Sequence, residues 1–217
     1  WPILILAIVG LAVVIERFRS LKMLDADDDS LRQKVIDLLS DDNPEEALEI
    51  CENSRGPVAA VLANGLRKYL VLKKLGHDQG QIEEQVVKSM EGYGVHIVSA
   101  LERHLPILAT ISSVAPMLGF LGTVAGMIKS FEDIVAKMGE VNIVEAAAAG
   151  ISVALYTTAF GLIVGIPAYL FFNYFSSVIN SFVLQVESTA AELIEVVTVR
   201  LTLDRSEKES TRTAKPK

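Results

Sequence analysis

The chain has 217 residues, of which 51% are hydrophobic and 22% charged, and its formal net charge at pH 7 is −7. With a mean hydropathy of +0.39, this balance excludes an ordinary soluble domain and a many-pass transporter. It favours a few membrane spans joined to a charged extramembrane part. The negative net charge argues against nucleic-acid binding, which needs a clustered basic surface. The single cysteine excludes an internal disulfide and a cysteine-based zinc site. Because the sequence has no metal-ligand spacing, phosphate-binding glycine loop or nucleophile motif, we predict neither an enzyme nor a bound cofactor or metal.

The first predicted element is an uncharged apolar run of about 15 residues, shorter than the roughly 20 that span a bilayer. A secretory signal peptide is the competing interpretation. However, the basic residues Arg17, Arg19 and Lys22 follow the run instead of preceding it, and no small-residue cleavage site comes after it. We therefore expect residues 1–16 to form a first transmembrane helix that lacks its outer end. The cations place its C-terminal end in the cytoplasm by the positive-inside rule.

Residues 17–104 alternate in charge sign and carry a 3.6-residue hydrophobic period. We therefore expect a cytoplasmic helical segment that supports the membrane helices. Turn-forming residues divide this segment at Ser40–Asn43, at Gly56–Pro57 and at Gly76–Gly80. The last helix is predicted to begin at Gln81 and to continue into the second span.

His104 marks the cytoplasmic edge of that second span. Imidazole is the side chain that changes its charge closest to neutral pH, so His104 could act as a pH sensor. A histidine that only anchors the helix at the membrane interface is the simpler interpretation, and the sequence leaves both open.

The second predicted span, residues 105–130, contains the uncharged stretch ATISSVAPMLGFLGTVAGMI, which is about 20 residues long. Gly119, Gly122, Thr123 and Gly126 recur at helical spacing and therefore share one face. Small residues on a membrane helix allow other helices to approach closely. We expect this face to contact protein rather than lipid.

A short outer loop, residues 131–145, leads to a third predicted span at 146–175, which carries a second small-residue face. That face is formed by Gly150, Ala154, Thr157 and Gly161, with Thr158 beside it. Two such helices with mid-membrane threonines suggest a shared polar lumen or a seat for a partner helix. Close packing alone would also explain them. A proline inside each span is predicted to kink it, at Pro116 and Pro167.

No charged residue follows the third span until Glu187, and the helical pattern continues to about residue 203. We therefore predict a cytoplasmic helical extension at 176–204 and a disordered tail at 205–217. The predicted fold is an all-α membrane protein with three transmembrane helices and a cytoplasmic helical bundle. Its second and third helices are long and extend into the cytoplasm. The N-terminus is predicted to be periplasmic and the C-terminus cytoplasmic.

Two long segments carry a resemblance to a known family. Residues 115–128 resemble the second-helix signature of the MotA/TolQ/ExbB proton channel family, and residues 150–168, followed by Asn173, resemble its third-helix signature. Glu16-Arg17 and the segment CENSRGP at 51–57 are similar to the ExbB and TolQ branch. The MotA branch fits less well, because its members have four spans and this layout allows three.

The resemblance implies a subunit of a motor in the bacterial inner membrane that is driven by the proton motive force. Relatives form a pentameric ring around the single-span helices of a dimeric partner of the ExbD or TolR type. That partner carries the proton-binding aspartate, and a TonB-like envelope protein is a further implied partner. Carried over by motif, the pore-lining positions are Thr123 and Thr158.

The sequence departs from the family pattern at one position. Many ExbB-like proteins have a glutamate in the third helix where this chain has Val153, so its predicted spans contain no carboxylate. The acid would then come from the partner. A non-conducting membrane scaffold that assembles other envelope proteins remains the alternative function, because the same small-residue faces would suffice for it.

Overall fold

A computed structural model describes residues 1–22, 28–136 and 143–213, and every helix or strand element within these ranges is an α-helix. The all-α fold class is therefore confirmed. In chain order the helices are α1 (Pro2–Leu21), α2 (Asp28–Ser40), α3 (Pro44–Asn53), α4 (Pro57–Leu75), α5 (Gln79–Glu102), α6 (Leu105–Ala136) and α7 (Ile143–Thr213).

The short helices begin and end where the local chemistry predicts. Pro44 and Pro57 occupy the first turns of α3 and α4, where a missing N–H costs nothing. Gly76 ends α4 in the left-handed conformation, with φ of 72°, and its N–H bonds back to the last turn. Asp42 also has a positive φ, of 61°, in the tight connection between α2 and α3.

The chain divides into two compact units. The first contains Trp1–Ser20 and Glu102–Ser177, and the second contains Leu21–Leu101 and Val178–Lys217. The second unit has a hydrophobic core in which α2 to α5 and the later part of α7 all take part. Val35, Leu62, Ile82 and Leu193 are each at most 1% exposed there. A bundle of amphipathic helices of this kind is what the periodicity of residues 17–104 predicts.

Several predicted boundaries differ from the structure. The helix expected to run from Gln81 into the second span is interrupted, because Arg103 and His104 form a turn between α5 and α6. The tail expected to be disordered from residue 205 is helical as far as Thr213. The outer loop predicted at 131–145 is shortened at both ends, since α6 continues to Ala136 and α7 begins at Ile143. Residues 137–142 of that loop lie outside the described ranges.

Two helical stretches are long and apolar enough to cross a bilayer. They lie within Gln79–Ala136 and Ala147–Thr202, and each contains an 18-residue window with a mean hydropathy of 1.8. In both windows most residues are not buried inside the chain, which is unlike the core helix of a soluble protein. A third span formed by α1 stays a prediction.

Candidate functional site

The small-residue faces of α6 and α7 pack against each other within one chain. A Cβ atom added to Gly119 would lie 2.9 Å from the carbonyl oxygen of Thr157. One added to Gly161 would lie 2.6 Å from the carbonyl oxygen of Ala115. Since both obstacles are backbone atoms, the two helices touch here at a distance that only glycine permits.

The same contact continues along both helices in an antiparallel register, and we call it the α6–α7 seam. Toward one end, a Cβ on Gly126 would lie 3.0 Å from Ala154 Cβ, and Gly150 faces Ser130. Toward the other end, a Cβ on Gly165 would lie 2.7 Å from the ring of Pro116. The predicted protein-facing stripe is therefore filled by the chain's own neighbouring helix.

Three threonine hydroxyls meet at the middle of the seam. Thr123 Oγ1 is hydrogen-bonded to Thr158 Oγ1 and lies 3.1 Å from the carbonyl oxygen of Ala154 and 3.2 Å from that of Gly119. Thr157 Oγ1 donates to the Ala154 carbonyl at 2.7 Å, and Thr158 Oγ1 to the Gly119 carbonyl at 3.2 Å. We call these three hydroxyls and two carbonyls the threonine cluster.

The threonine cluster unites residues that the sequence assigned to different roles. Thr123 and Thr158 were predicted to line a pore and Thr157 to pack, yet all three hydroxyls lie within hydrogen-bonding distance of the Gly119 carbonyl oxygen. The hydroxyls of Thr123 and Thr157 also reach the Ala154 carbonyl oxygen. Thr123 is 8% exposed and the other two are half-buried. Bonding to backbone carbonyls is how threonine hydroxyls are usually accommodated in membrane helices. The pore-lining role of Thr123 and Thr158 stays a prediction.

Large apolar side chains cover the outer surface of the same two helices. On α6, Met117, Phe120 and Leu121 are at least 60% exposed, and on α7 the side chain of Val153 is 66% exposed. Its neighbour Ala154, only 1% exposed, points into the seam. The position of the family glutamate therefore lies on the outside of the single chain and not in the threonine cluster.

The sequence did not predict how Arg17 is used. It was interpreted only as a cation that orients the first helix, but its side chain is 3% exposed. Arg17 contacts Glu16 and, across 87 residues, His104 in the turn between α5 and α6. Phe18 packs edge-on against Phe175, with 5.1 Å between the ring centroids, so α1 also contacts α7. Neither contact has a sequence signal, because both partners are distant in the chain.

The second unit contains a groove of about 250 Å³, lined in part by Glu52, Asn64, Arg67 and Tyr93. Arg67 and Glu52 form an ion pair across it at 2.5 Å, and Asn64 donates to the Ser89 carbonyl. Within the described ranges, no three histidine, cysteine, aspartate or glutamate side chains are grouped as a metal ion would require. The groove thus offers one cation paired with one anion.

Comparison with known proteins places all the residues of the α6–α7 seam inside one family match. The model of the MotA/TolQ/ExbB proton channel family matches residues 53–188. The chain is 32% identical to the biopolymer transport protein ExbB of Pseudomonas putida over 182 residues, which are 82% of this chain and 53% of that protein. It is 30% identical to biopolymer transport protein exbB1 of Vibrio cholerae over 176 residues, 77% of this chain and 70% of the relative.

A relative from the TolQ branch is also similar. The Tol-Pal system protein TolQ of Haemophilus influenzae is 33% identical over 119 residues, which are 54% of this chain and 51% of that protein. The chain spans about half of the length of the Pseudomonas putida and Haemophilus influenzae relatives.

Proposed function

The chain belongs to the MotA/TolQ/ExbB proton channel family, and on that premise we propose that it is the ring-forming subunit of an inner-membrane motor driven by the proton motive force. In this proposal five copies surround the spanning helices of a dimeric, single-span partner of the ExbD or TolR type. Ion flow through the assembly performs work on the cell envelope, with a TonB-like protein as a further partner. The observation that carries the proposal is that the family match at 53–188 contains the entire α6–α7 seam with its threonine cluster.

The proposed membrane arrangement has spans at 1–16, 105–130 and 146–175, with the second unit in the cytoplasm. Two long apolar helices and their exposed apolar outer surfaces support it. On α1, Leu4, Ile8 and Leu11 are each more than half exposed, as lipid-facing side chains would be. The basic residues at the C-terminal end of α1 and just after it, Arg17, Arg19 and Lys22, favour a periplasmic N-terminus and a cytoplasmic C-terminus.

The proposed role of Thr123 and Thr158 is to hydrate or hydrogen-bond the proton-binding aspartate of the partner. No charged residue occurs between His104 and Lys129 or between Glu145 and Glu187, so the chain supplies hydroxyls but no titratable acid there. When a threonine hydroxyl rotates toward a carboxylate, it gives up its hydrogen bond to a backbone carbonyl. That carbonyl can still accept the hydrogen bond from the N–H of its own helix. The rearrangement is therefore less costly than leaving a carboxylate unpaired in a membrane.

The small-residue faces no longer argue for ring assembly, because the chain's own helices occupy them. The argument for assembly now rests on family membership and on the exposed apolar surfaces of α6 and α7. The alternative, a non-conducting scaffold, is favoured by one observation: the threonine hydroxyls already have acceptors within the single chain.

The test is to purify the chain in mild detergent with a single-span partner encoded beside it, and to count subunits by native mass spectrometry. The same complex is then placed in liposomes and proton flux is measured with and without the partner. We expect a pentamer that leaks few protons alone and conducts when the partner's aspartate is intact. A stable monomer would contradict the ring. A partner complex without aspartate-dependent flux would favour the scaffold.

A further inference from the structure

A cluster of three polar side chains joins α1 to the turn between α5 and α6. Arg17 forms a two-point ion pair with Glu16, with Nη2 2.6 Å from Oε1 and Nε 2.7 Å from Oε2. His104 Nδ1 lies 3.3 Å from Arg17 Nη2 and 3.1 Å from Glu16 Oε2. One ring nitrogen is therefore within hydrogen-bonding distance of a cationic donor and of an anionic acceptor.

Nδ1 of His104 cannot form hydrogen bonds with both Arg17 and Glu16 in the same protonation state. Without a proton, Nδ1 has a lone pair and can only accept, and the guanidinium of Arg17 can only donate. With a proton, Nδ1 can only donate, and the carboxylate of Glu16 can only accept. When the ring is an imidazolium, the positive charge of Arg17 also repels it.

We propose that His104 is a proton-controlled selector between these two partners. While the ring is neutral, its Nδ1 accepts a hydrogen bond from Arg17, with the ring proton on Nε2. When the ring gains a second proton, Nδ1 donates to Glu16 instead. The exchange changes which residue of α1 holds the turn between α5 and α6.

Burial favours the Arg17 bond in the unprotonated state. The Arg17 side chain is 3% exposed, whereas those of Glu16 and His104 are 46% and 37% exposed. A buried guanidinium needs acceptors for its N–H groups, and the Nδ1 lone pair supplies one. The half-exposed carboxylate of Glu16 can instead be solvated by water until the imidazolium forms.

Among the residues that the structure describes, few other charges lie near His104. Glu102 and Arg103 adjoin it in the chain, both are exposed, and they are of opposite sign. On α6 the first charged residue is Lys129, and the described part of α7 carries none between Glu145 and Glu187. Within the described ranges, the charged groups in contact with the ring are Glu16 and Arg17.

The test uses nitrogen-15 NMR of the whole chain in detergent with labelled histidine. The chain has three histidines, so His77→Gln and His96→Gln variants assign the signals. While the ring is neutral we expect Nδ1 of His104 to be the unprotonated nitrogen, and in the imidazolium we expect the Nδ1 proton to be donated to Glu16. A neutral ring that carries its proton on Nδ1 would mean donation to Glu16 in both states and would overturn the proposal.

Two variants distinguish the hydrogen bond of His104 with Arg17 from that with Glu16. Arg17→Lys keeps the charge but loses the planar fork, so the population of the Nδ1–H form at pH 8 should rise. Glu16→Gln removes the carboxylate, so the Nδ1–H signal of the His104 imidazolium should shift while the signals of exposed His96 stay unchanged. If neither variant changes the His104 signals, the selector does not exist.

If the protein carries protons into the cytoplasm, the selector has a functional consequence. Only this consequence, and not the selector itself, rests on the proposed function. Acidification next to the turn would then change the attachment of α1. The nitrogen shifts report on the cluster itself, so they can support the selector even if the chain proves to be a non-conducting scaffold.

Discussion

Gly161 on α7 and Ala115 on α6 approach so closely that a Cβ on the glycine would lie 2.6 Å from the alanine carbonyl oxygen. Because this oxygen belongs to the backbone, the contact can be relieved only by moving one helix. The contact joins two parts of one chain, so glycine substitutions here act directly on the folding of the single chain.

We therefore predict that Gly161→Ala destabilises the isolated chain, by about 1–3 kcal/mol as is typical of overpacking. Thermal unfolding in detergent would measure the effect. The matched control is Gly92→Ala on α5, where an added Cβ meets nothing within 4 Å. That variant should be neutral or stabilising by up to about 1 kcal/mol, because alanine favours the helix. Equal melting temperatures for the two variants would contradict the close seam.

A second prediction concerns the threonine cluster. Replacing both Thr123 and Thr158 by valine keeps the side-chain shape and removes the hydroxyls. We expect partner assembly to survive with a loss of stability of about 1 kcal/mol, since hydrogen bonds between membrane helices average about 0.6 kcal/mol each. Proton flux should fall strongly. The comparison is Thr157→Val, which we expect to affect flux less because Thr157 also packs against Gly122. If the double variant conducts protons at the wild-type rate, Thr123 and Thr158 only pack the two helices together.

A third prediction follows from the charges around Asp42. The Arg200 guanidinium, 3.3 Å away, lowers the pKa of the Asp42 carboxyl, and the Lys73 ammonium at 3.6 Å adds to this, while burial opposes it. A carboxyl whose pKa is lower in the folded state contributes stability above its unfolded pKa, near 4, and that stability is lost as pH falls through the folded value. The contribution should be at most about 1 kcal/mol, because Asp42 is 46% exposed.

Asp42→Asn tests this linkage, because asparagine tolerates the positive φ of 61° and only the charge is lost. Urea unfolding monitored between pH 3 and pH 7 should show a weaker loss of stability in acid than in the wild type. The control, Glu45→Gln, removes an ion pair to Lys74 in which both side chains are 75% exposed. If the stability of Asp42→Asn falls in acid as much as that of the wild type, the interactions of Asp42 with Arg200 and Lys73 contribute nothing to stability.

The fourth prediction concerns the thiol of Cys51, which is 2% exposed in the core of the second unit. Burial raises its pKa to about 12, and the neighbouring Glu52 carboxylate adds to this effect. Almost no thiolate then exists at pH 8, so maleimide should label Cys51 only when the bundle opens. A Ser188→Cys variant at an exposed position of α7 supplies the reference rate. Comparable rates at the two positions in the native protein would contradict a closed core.

Local signals in the sequence were enough for most helix boundaries. Pro44, Pro57 and Gly76 act on their own backbone, so the ends of α3 and α4 follow from single residues. The small-residue faces of the two long helices were also visible, because helical periodicity assigns residues to faces. Periodicity does not say which helix will occupy a face, and the pairing of Gly119 with Gly161 therefore required the structure.

The interruption between α5 and α6 was missed although Pro106, in the first turn of α6, is a local signal for it. A proline has no N–H to donate to the carbonyl four residues earlier, here that of Glu102, the last residue of α5. The turn there is accompanied by the contact of His104 with Arg17, 87 residues earlier. Likewise, nothing within the sequence near Thr157 distinguishes it from Thr158. Only the position of the Ala154 and Gly119 carbonyls brings both hydroxyls into one cluster.

The threonine cluster has three hydroxyl protons but only two carbonyl acceptors. If Thr157 donates to Ala154 and Thr158 to Gly119, the proton of Thr123 can point to Thr158 or to either carbonyl. Several hydrogen-bond arrangements are therefore compatible with the same heavy-atom positions, and they differ only in the direction of O–H dipoles. Such a group can reorient when a charge approaches and can return when it leaves. In this way an uncharged stretch of membrane helix becomes polarisable without containing any acid or base.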